Sequence, residues 1–151
     1  MSTRTALYDQ DFYAWTMATA SLVRQGRWQE IDWEHLVEEL EALGRGERRE
    51  LGHRLEVLVL HLLKWRVQSE YQSRSWRSTI LEQRRRVAEL LEDNPSLRSQ
   101  VPDLLKRAYP HARRSALEET GLYEHAIPQD CPFTWEQVLD EAFWPEASWA
   151  R

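Results

Sequence analysis

The stretch Leu51-Gly52-His53-Arg54-Leu55-Glu56-Val57-Leu58-Val59-Leu60-His61-Leu62-Leu63-Lys64-Trp65 decides the fold. Leu51, Leu55, Leu58, Leu62 and Trp65 are spaced 4, 3, 4, 3, the repeat of one face of an α-helix. Between Val57 and Leu63 only His61 is not aliphatic, so the second half of this segment is apolar on all sides. A helix of that kind is surrounded by other helices, which makes a central helix over about 47–68 the expected organiser of the fold.

Outward from this segment the helical period continues. Tyr8, Phe12, Trp15, Thr19 and Leu22 form one stripe on a first helix expected from about 9 to 25 and stopped by Gly26. Asp32 can cap a short second helix carrying Leu36, Val37, Leu40 and Leu43, closed by the breakers Gly44 and Gly46. Downstream, Ser73 or Ser75 can cap a fourth helix with Trp76, Ile80, Val87 and Leu90 or Leu91 inside, ending at Asn94-Pro95. A fifth carries Leu97, Val101, Leu104, Leu105, Ala108, Ala112 and Ala116 before Gly121, with Pro110 expected to kink or divide it. Residues 127–133, held open by Pro128 and Pro132, read as an extended strap. Thr134-Trp135-Glu136-Gln137 then reads as a capping box that starts a short final helix toward Phe143. The fold class is all-α: a compact four- to five-helix bundle with a C-terminal strap over the central helix and a short last helix. Residues 8–145 are expected to form one helical domain, flanked by a flexible N-terminus at 1–7 and a flexible tail at 146–151.

Composition narrows the function classes. The chain has 151 residues, 20 Lys and Arg against 25 Asp and Glu, and a formal net charge of −5, which disfavours a general polyanion binder. No apolar run approaches the roughly 20 residues of a membrane span, and no signal peptide is visible, so a cytoplasmic protein without a membrane partner is expected. The single cysteine, Cys131, excludes an internal disulfide and suits a reducing compartment; beside Asp130 it reads as a buried structural thiol. Charge is uneven along the chain. Residues 28–43 hold six acids and no Lys or Arg, whereas residues 64–86 hold seven bases and two acids, so these helices can pair within one chain or across a homo-oligomer.

Short strings in a fixed order point to a family. Asp11-Phe12-Tyr13-Ala14-Trp15, Glu38-Glu39-Leu40-Glu41-Ala42-Leu43-Gly44, His61-Leu62-Leu63-Lys64-Trp65, Ser75-Trp76-Arg77-Ser78-Thr79-Ile80, Gln83-Arg84-Arg85 and Pro95-Ser96-Leu97 follow one another. Together with Tyr109, Ala112-Arg113, Glu119-Thr120 and residues 128–132, the pattern resembles the bacterial family catalogued as domain of unknown function 29 over about residues 7–145. The resemblance implies a compact helical fold and carries over no catalytic residue. Pro110, where such sequences have a helix-compatible residue, and Ile127, where they have an aromatic, depart from the pattern.

Polar residues on apolar stripes are the candidates for chemistry. His61 interrupts the aliphatic run, Gln83 sits in the Trp76, Ile80, Val87 stripe, Arg84 adjoins it, and Glu39 flanks the Leu36, Leu40, Leu43 stripe. These four form an expected buried polar cluster that fixes helix register. As a cleft, the same set gives an alternative reading as a small helical enzyme, with His61 as acid or base, Glu39 orienting it and Arg84 holding an anion. Arg74, Arg77, Arg85 and Arg86 form an expected anion or partner patch; nucleic-acid binding through it is a further alternative, set against the acidic net charge. Glu50-x-x-His53 has a di-iron spacing, but one copy does not make a metal set, and no metal or cofactor is expected. Trp28, Trp144 and Trp149 fall off the helical stripes, which suits covers over a groove or a subunit interface. The leading expectation is a non-catalytic helical interaction module that associates with itself or another protein.

Overall fold

Asp11 divides what its apolar spacing presents as one helix. In the computed structural model, which describes residues 3–146, α1 spans Thr3–Gln10 and α2 spans Phe12–Arg24. The Asp11 carboxylate accepts from the Ala14 N–H at 3.0 Å and caps α2, so the stripe through Tyr8, Phe12 and Trp15 crosses a break. Residues 3–7, expected as a flexible N-terminus, lie in α1; of the expected tail, residues 147–151 lie outside the described residues, Trp149 among them. Gly26, at φ 69°, follows α2 in a conformation that favours glycine.

The expected second and third helices are one. Helix α3 runs through Trp33–Val67, 35 residues, without a stop at Gly44 or Gly46. Both glycines lie on an exposed stretch among Ala, Leu, Arg and Glu, and each costs only about 1 kcal/mol against Ala in a helix, less than its neighbours' helix preference supplies. The chain divides at this solvated stretch into two compact units, Met1–Gly46 and Glu47–Arg151.

In the second unit α3 is central, as its sequence requires. Leu51, Leu55, Leu58, Val59, Leu62 and Leu63 are fully buried. They pack in one core with Ile80, Val87 and Leu91 of α4 (Arg74–Asp93) and with Val101, Leu104, Leu105, Tyr109, Ala112 and Ala116 of α5 (Val101–Thr120). Each fully buried Leu, Ile or Val contributes about 1.5–3 kcal/mol from apolar burial, which makes this core the dominant stabilising term. Ser73 is the cap of α4, its hydroxyl accepting from the Trp76 N–H at 3.1 Å. Pro110 does not divide α5. The carbonyl it leaves without a donor belongs to Lys106, and both residues are exposed, so that carbonyl is not stranded in the core. Gly121, at φ 69°, ends the helix.

The strap follows a 3₁₀ turn at Glu124–Ala126 and is fastened by α5. The Tyr109 hydroxyl donates to the Pro128 carbonyl, and Arg113 donates to the Ile127, Pro128 and Glu124 carbonyls at 3.1, 3.0 and 2.8 Å. Ile127 and Phe133 enter the core, so the aliphatic residue at 127 is accommodated. The Thr134 capping box forms, with Gln137 N–H to Thr134 Oγ1 at 3.2 Å and Thr134 N–H to Gln137 Oε1 at 3.0 Å. The helix it opens, α6, is short, Trp135–Leu139, and ends before Phe143. The architecture is all-α, with no strand among the described residues.

The first unit is built from α1, α2 and residues 33–46 of α3. Among its described residues the buried side chains are few: Trp15, Ile31 and Thr19. Tyr8 packs edge-on against Trp15 at 4.9 Å between ring centroids.

Candidate functional site

The four residues expected to form one polar cluster each have their own partner. His61 is half-buried, and its Nδ1 lies 2.8 Å from the carbonyl of Val57 one turn back in α3. Gln83 accepts from Arg54 Nη1 at 3.2 Å. Arg84, only 2% exposed, donates from Nε to the Val138 carbonyl at 2.9 Å and from Nη2 to the Gln137 carbonyl at 3.4 Å. These are carbonyls of the last turn of α6, where a cation meets the negative end of the helix. Glu39 accepts from the Tyr8 hydroxyl and belongs to the other unit. No hydrogen bond joins any two of the four among the described residues; each bonds instead to backbone or to another side chain, and Arg84 Nη1 is buried without a partner among the described residues.

Arg84 is the most deeply placed charge. Burial pushes its pKa down, with Asp140 and Glu141 opposing that shift. Trp144, in the segment after α6, lies 5.5 Å from the Arg84 guanidinium, 4.8 Å from that of Arg77 and 4.7 Å from the Trp65 ring. One of the off-stripe tryptophans is therefore held between α3 and α4 by stacking on cations.

The Arg patch is largely neutralised. Arg85 pairs with Glu82 at 2.9 Å and Glu89 at 2.5 Å, and Arg86 pairs with Glu82 at 3.0 Å, all within α4. These bonds lower the Glu82 pKa and raise that of Arg85. With Arg77 on Trp144, Arg74 is the member of the four without an ion pair or ring contact among the described residues. Cys131 is half-buried, its thiol donating to the Phe133 carbonyl at 3.3 Å, and burial pushes its pKa up. That is the setting of an inert thiol rather than a nucleophile. Glu50 of the Glu-x-x-His string is bonded by Arg54 at 3.2 Å, and no group of three or more metal-ligating side chains occurs among the described residues.

Two features of the first unit were not singled out from sequence. One is a polar chain across α1 and α3. Asp32 Oδ2 lies 2.6 Å from His35 Nδ1, the His35 ring stacks on Tyr8 with centroids 3.9 Å apart, and the Tyr8 hydroxyl donates to Glu39. The bond to Glu39 is the main cause that pushes the Tyr8 pKa up to about 12, so no phenolate nucleophile forms here at neutral pH. The bond to Asp32 is the first cause of a raised His35 pKa, with burial opposing it. The i, i+3 spacing of Asp32 and His35 was a readable signal; the partner 27 residues upstream, Tyr8, was not.

The other feature is an apolar groove of about 450 Å³ between α2 and α3, lined by Trp15, Thr19, Val23, Leu36, Leu40 and Leu43, with Arg24 and Glu39 as its charged residues. The α3 stripe beside it is open. Trp33, Val37, Leu40 and Leu43 are 48, 48, 59 and 69% exposed, although their spacing is that of core positions.

The sequence model of the domain of unknown function DUF29 matches residues 7–144. The chain belongs to that family. The DUF29 match runs through both compact units, the open groove and the Arg84 cap included. No curated protein matches the chain, and no solved structure does. DUF29 membership names no activity, so the chemistry rests on the side chains described above. No described helix is long and apolar enough to cross a membrane.

Proposed function

We propose that this protein is a non-catalytic helical interaction module that associates with a second copy of itself through the apolar face of α2 and the first part of α3. The observation that carries the reading is the exposure of Leu40 and Leu43, at 59 and 69%, on a stripe patterned to be buried. Nine of the twelve exposed large apolar side chains among the described residues lie between Phe12 and Leu43. At their fractional exposure these nine leave on the order of 1,000 Å² of apolar surface open, comparable with the roughly 800 Å² each partner contributes to a stable interface.

The size of the unit points the same way. A segment of fewer than about 70 residues rarely stabilises itself on one core, and association is a common remedy. Two such helix pairs packed face to face make a four-helix bundle with a self-complementary contact, the arrangement a two-fold homodimer requires. The groove contains one cation and one anion, Arg24 and Glu39, so it selects neither a basic nor an acidic partner. The reading includes a cytoplasmic setting, which the lone thiol Cys131 supports. An enzyme centred on His61, Glu39 and Arg84 has against it their separate partners, and a nucleic-acid surface at Arg74, Arg77, Arg85 and Arg86 has against it the pairing of Arg85 and Arg86 with Glu82 and Glu89.

Size-exclusion chromatography with light scattering tests the proposal on the full chain and on Leu40→Asp/Leu43→Asp. A dimer for the parent and a folded monomer for the variant, with unchanged helical circular dichroism, are expected. A parent that stays monomeric at about 100 μM, a hundredfold above a micromolar Kd, would overturn it.

A further inference from the structure

The segment that supplies Leu36, Leu40 and Leu43 to this face is acidic, and a two-fold contact doubles that charge locally, with Glu39 the acid on the groove wall. Residues 28–43 carry six carboxylates and no Lys or Arg, and His35 is the group there that can gain a positive charge near neutral pH. Like charges facing each other across an interface disfavour it and must be offset by apolar burial.

His35 is surrounded by acid. Asp32 holds its Nδ1 at 2.6 Å, and Glu34 and Glu38 act on it from the same helix. From α1, Tyr8 stacks on the ring at 3.9 Å, and Asp9 acts on Tyr8. From α2, the neighbours of Tyr8 are the uncharged rings of Phe12 and Trp15, and the charged member is Arg24, which shares the groove with Glu39. The Tyr8 hydroxyl in turn holds Glu39, so the ring stacked on His35 is joined directly to a wall of the groove.

We propose that His35 is a proton-operated switch on self-association: the protonated ring promotes the contact and the neutral ring weakens it. The proposal rests on the docking face described above. Protonated, the imidazolium cancels one carboxylate per protomer and stacks on the electron-rich face of Tyr8, which fixes the Tyr8 bond to Glu39. Neutral, it leaves both segments at full negative charge. The Asp32 carboxylate on Nδ1 favours the charged ring and raises the His35 pKa, with burial opposing it. Because the dimer binds protons more tightly than the monomer, the dissociation constant rises as pH rises, with up to one proton released per protomer.

Sedimentation velocity at fixed ionic strength, at about pH 6 and about pH 8.5, brackets the histidine transition and is the test. For the parent the dimer Kd is expected to rise about tenfold or more over that range, one proton linkage spread across the interval. His35→Gln should give the weaker, high-pH Kd at both values, and His35→Lys should keep the tighter Kd at the upper one. A parent dimer whose Kd changes less than about twofold, or a pH slope that survives in His35→Gln, overturns the switch and leaves the docking face standing. A parent monomeric at both pH values overturns the docking face, and the switch with it.

Discussion

Arg84 Nε donates to the carbonyl of Val138 at 2.9 Å, joining α4 to the end of α6 across 54 residues of sequence. With Gln137 as a second acceptor and Trp144 over the guanidinium, one side chain closes the last turn of α6 and holds the segment after it. Removal of a buried hydrogen-bonding charge strands its acceptors as well as leaving a void. Arg84→Ala is therefore expected to lower stability by about 2–4 kcal/mol, and Arg84→Lys, which keeps the charge without the planar fork, by less. Urea unfolding of the three proteins measures this; an Arg84→Ala curve that overlays the parent contradicts it.

Gly44 and Gly46 lie inside α3 with open space where a Cβ would stand. Neither has a positive φ, so Ala fits the backbone already present. Gly44→Ala and Gly46→Ala should each stabilise by about 0.5–1 kcal/mol through helix propensity and a less flexible unfolded chain. Thermal unfolding of the first unit's signal should shift upward; a downward shift would mean that α3 needs the two glycines as a hinge.

Two of the five tyrosines should titrate late. Tyr8 is pushed up to about 12 by its bond to the Glu39 carboxylate, and Tyr109 is pushed up by burial. The folded-state values lie above the unfolded value of 10.0, so the stability each contributes is fully present below that pH and is lost as pH rises through the folded value. Ultraviolet titration in alkali should show a late phase from Tyr8 and Tyr109, and Tyr8→Phe should remove one phenol from it. A late phase that Tyr8→Phe leaves unchanged would contradict the hydrogen bond to Glu39.

Much of the fold is legible in the residue pattern because burial and helical period leave direct marks. The Leu51 to Trp65 stripe, the Ser73 cap and the Thr134 capping box all stand where their spacing puts them. The breaks are harder. Asp11 stops a helix within an unbroken apolar stripe, since one cap residue does not disturb the spacing on either side, whereas Gly44 and Gly46 stop nothing because exposed glycine in a run of strong helix formers is a small cost. The polar residues separate for a different reason. His61, Gln83 and Arg84 all interrupt or adjoin apolar stripes, but His61 and Arg84 bond to backbone carbonyls, which every residue has and no sequence position marks. Leu40 and Leu43 carry the pattern of a core without stating which chain covers them. That is why the docking face emerges only when their exposure is seen.

Amide hydrogen exchange of the full chain over a dilution series tests self-association through α2 and the first part of α3 most directly, because it reads both the event and its place. Protection in residues 12–24 and 33–43 is expected to rise with protein concentration while that of residues 74–120 stays constant. Protection in residues 12–43 that does not change with concentration, or a change confined to α4 and α5, would contradict the account.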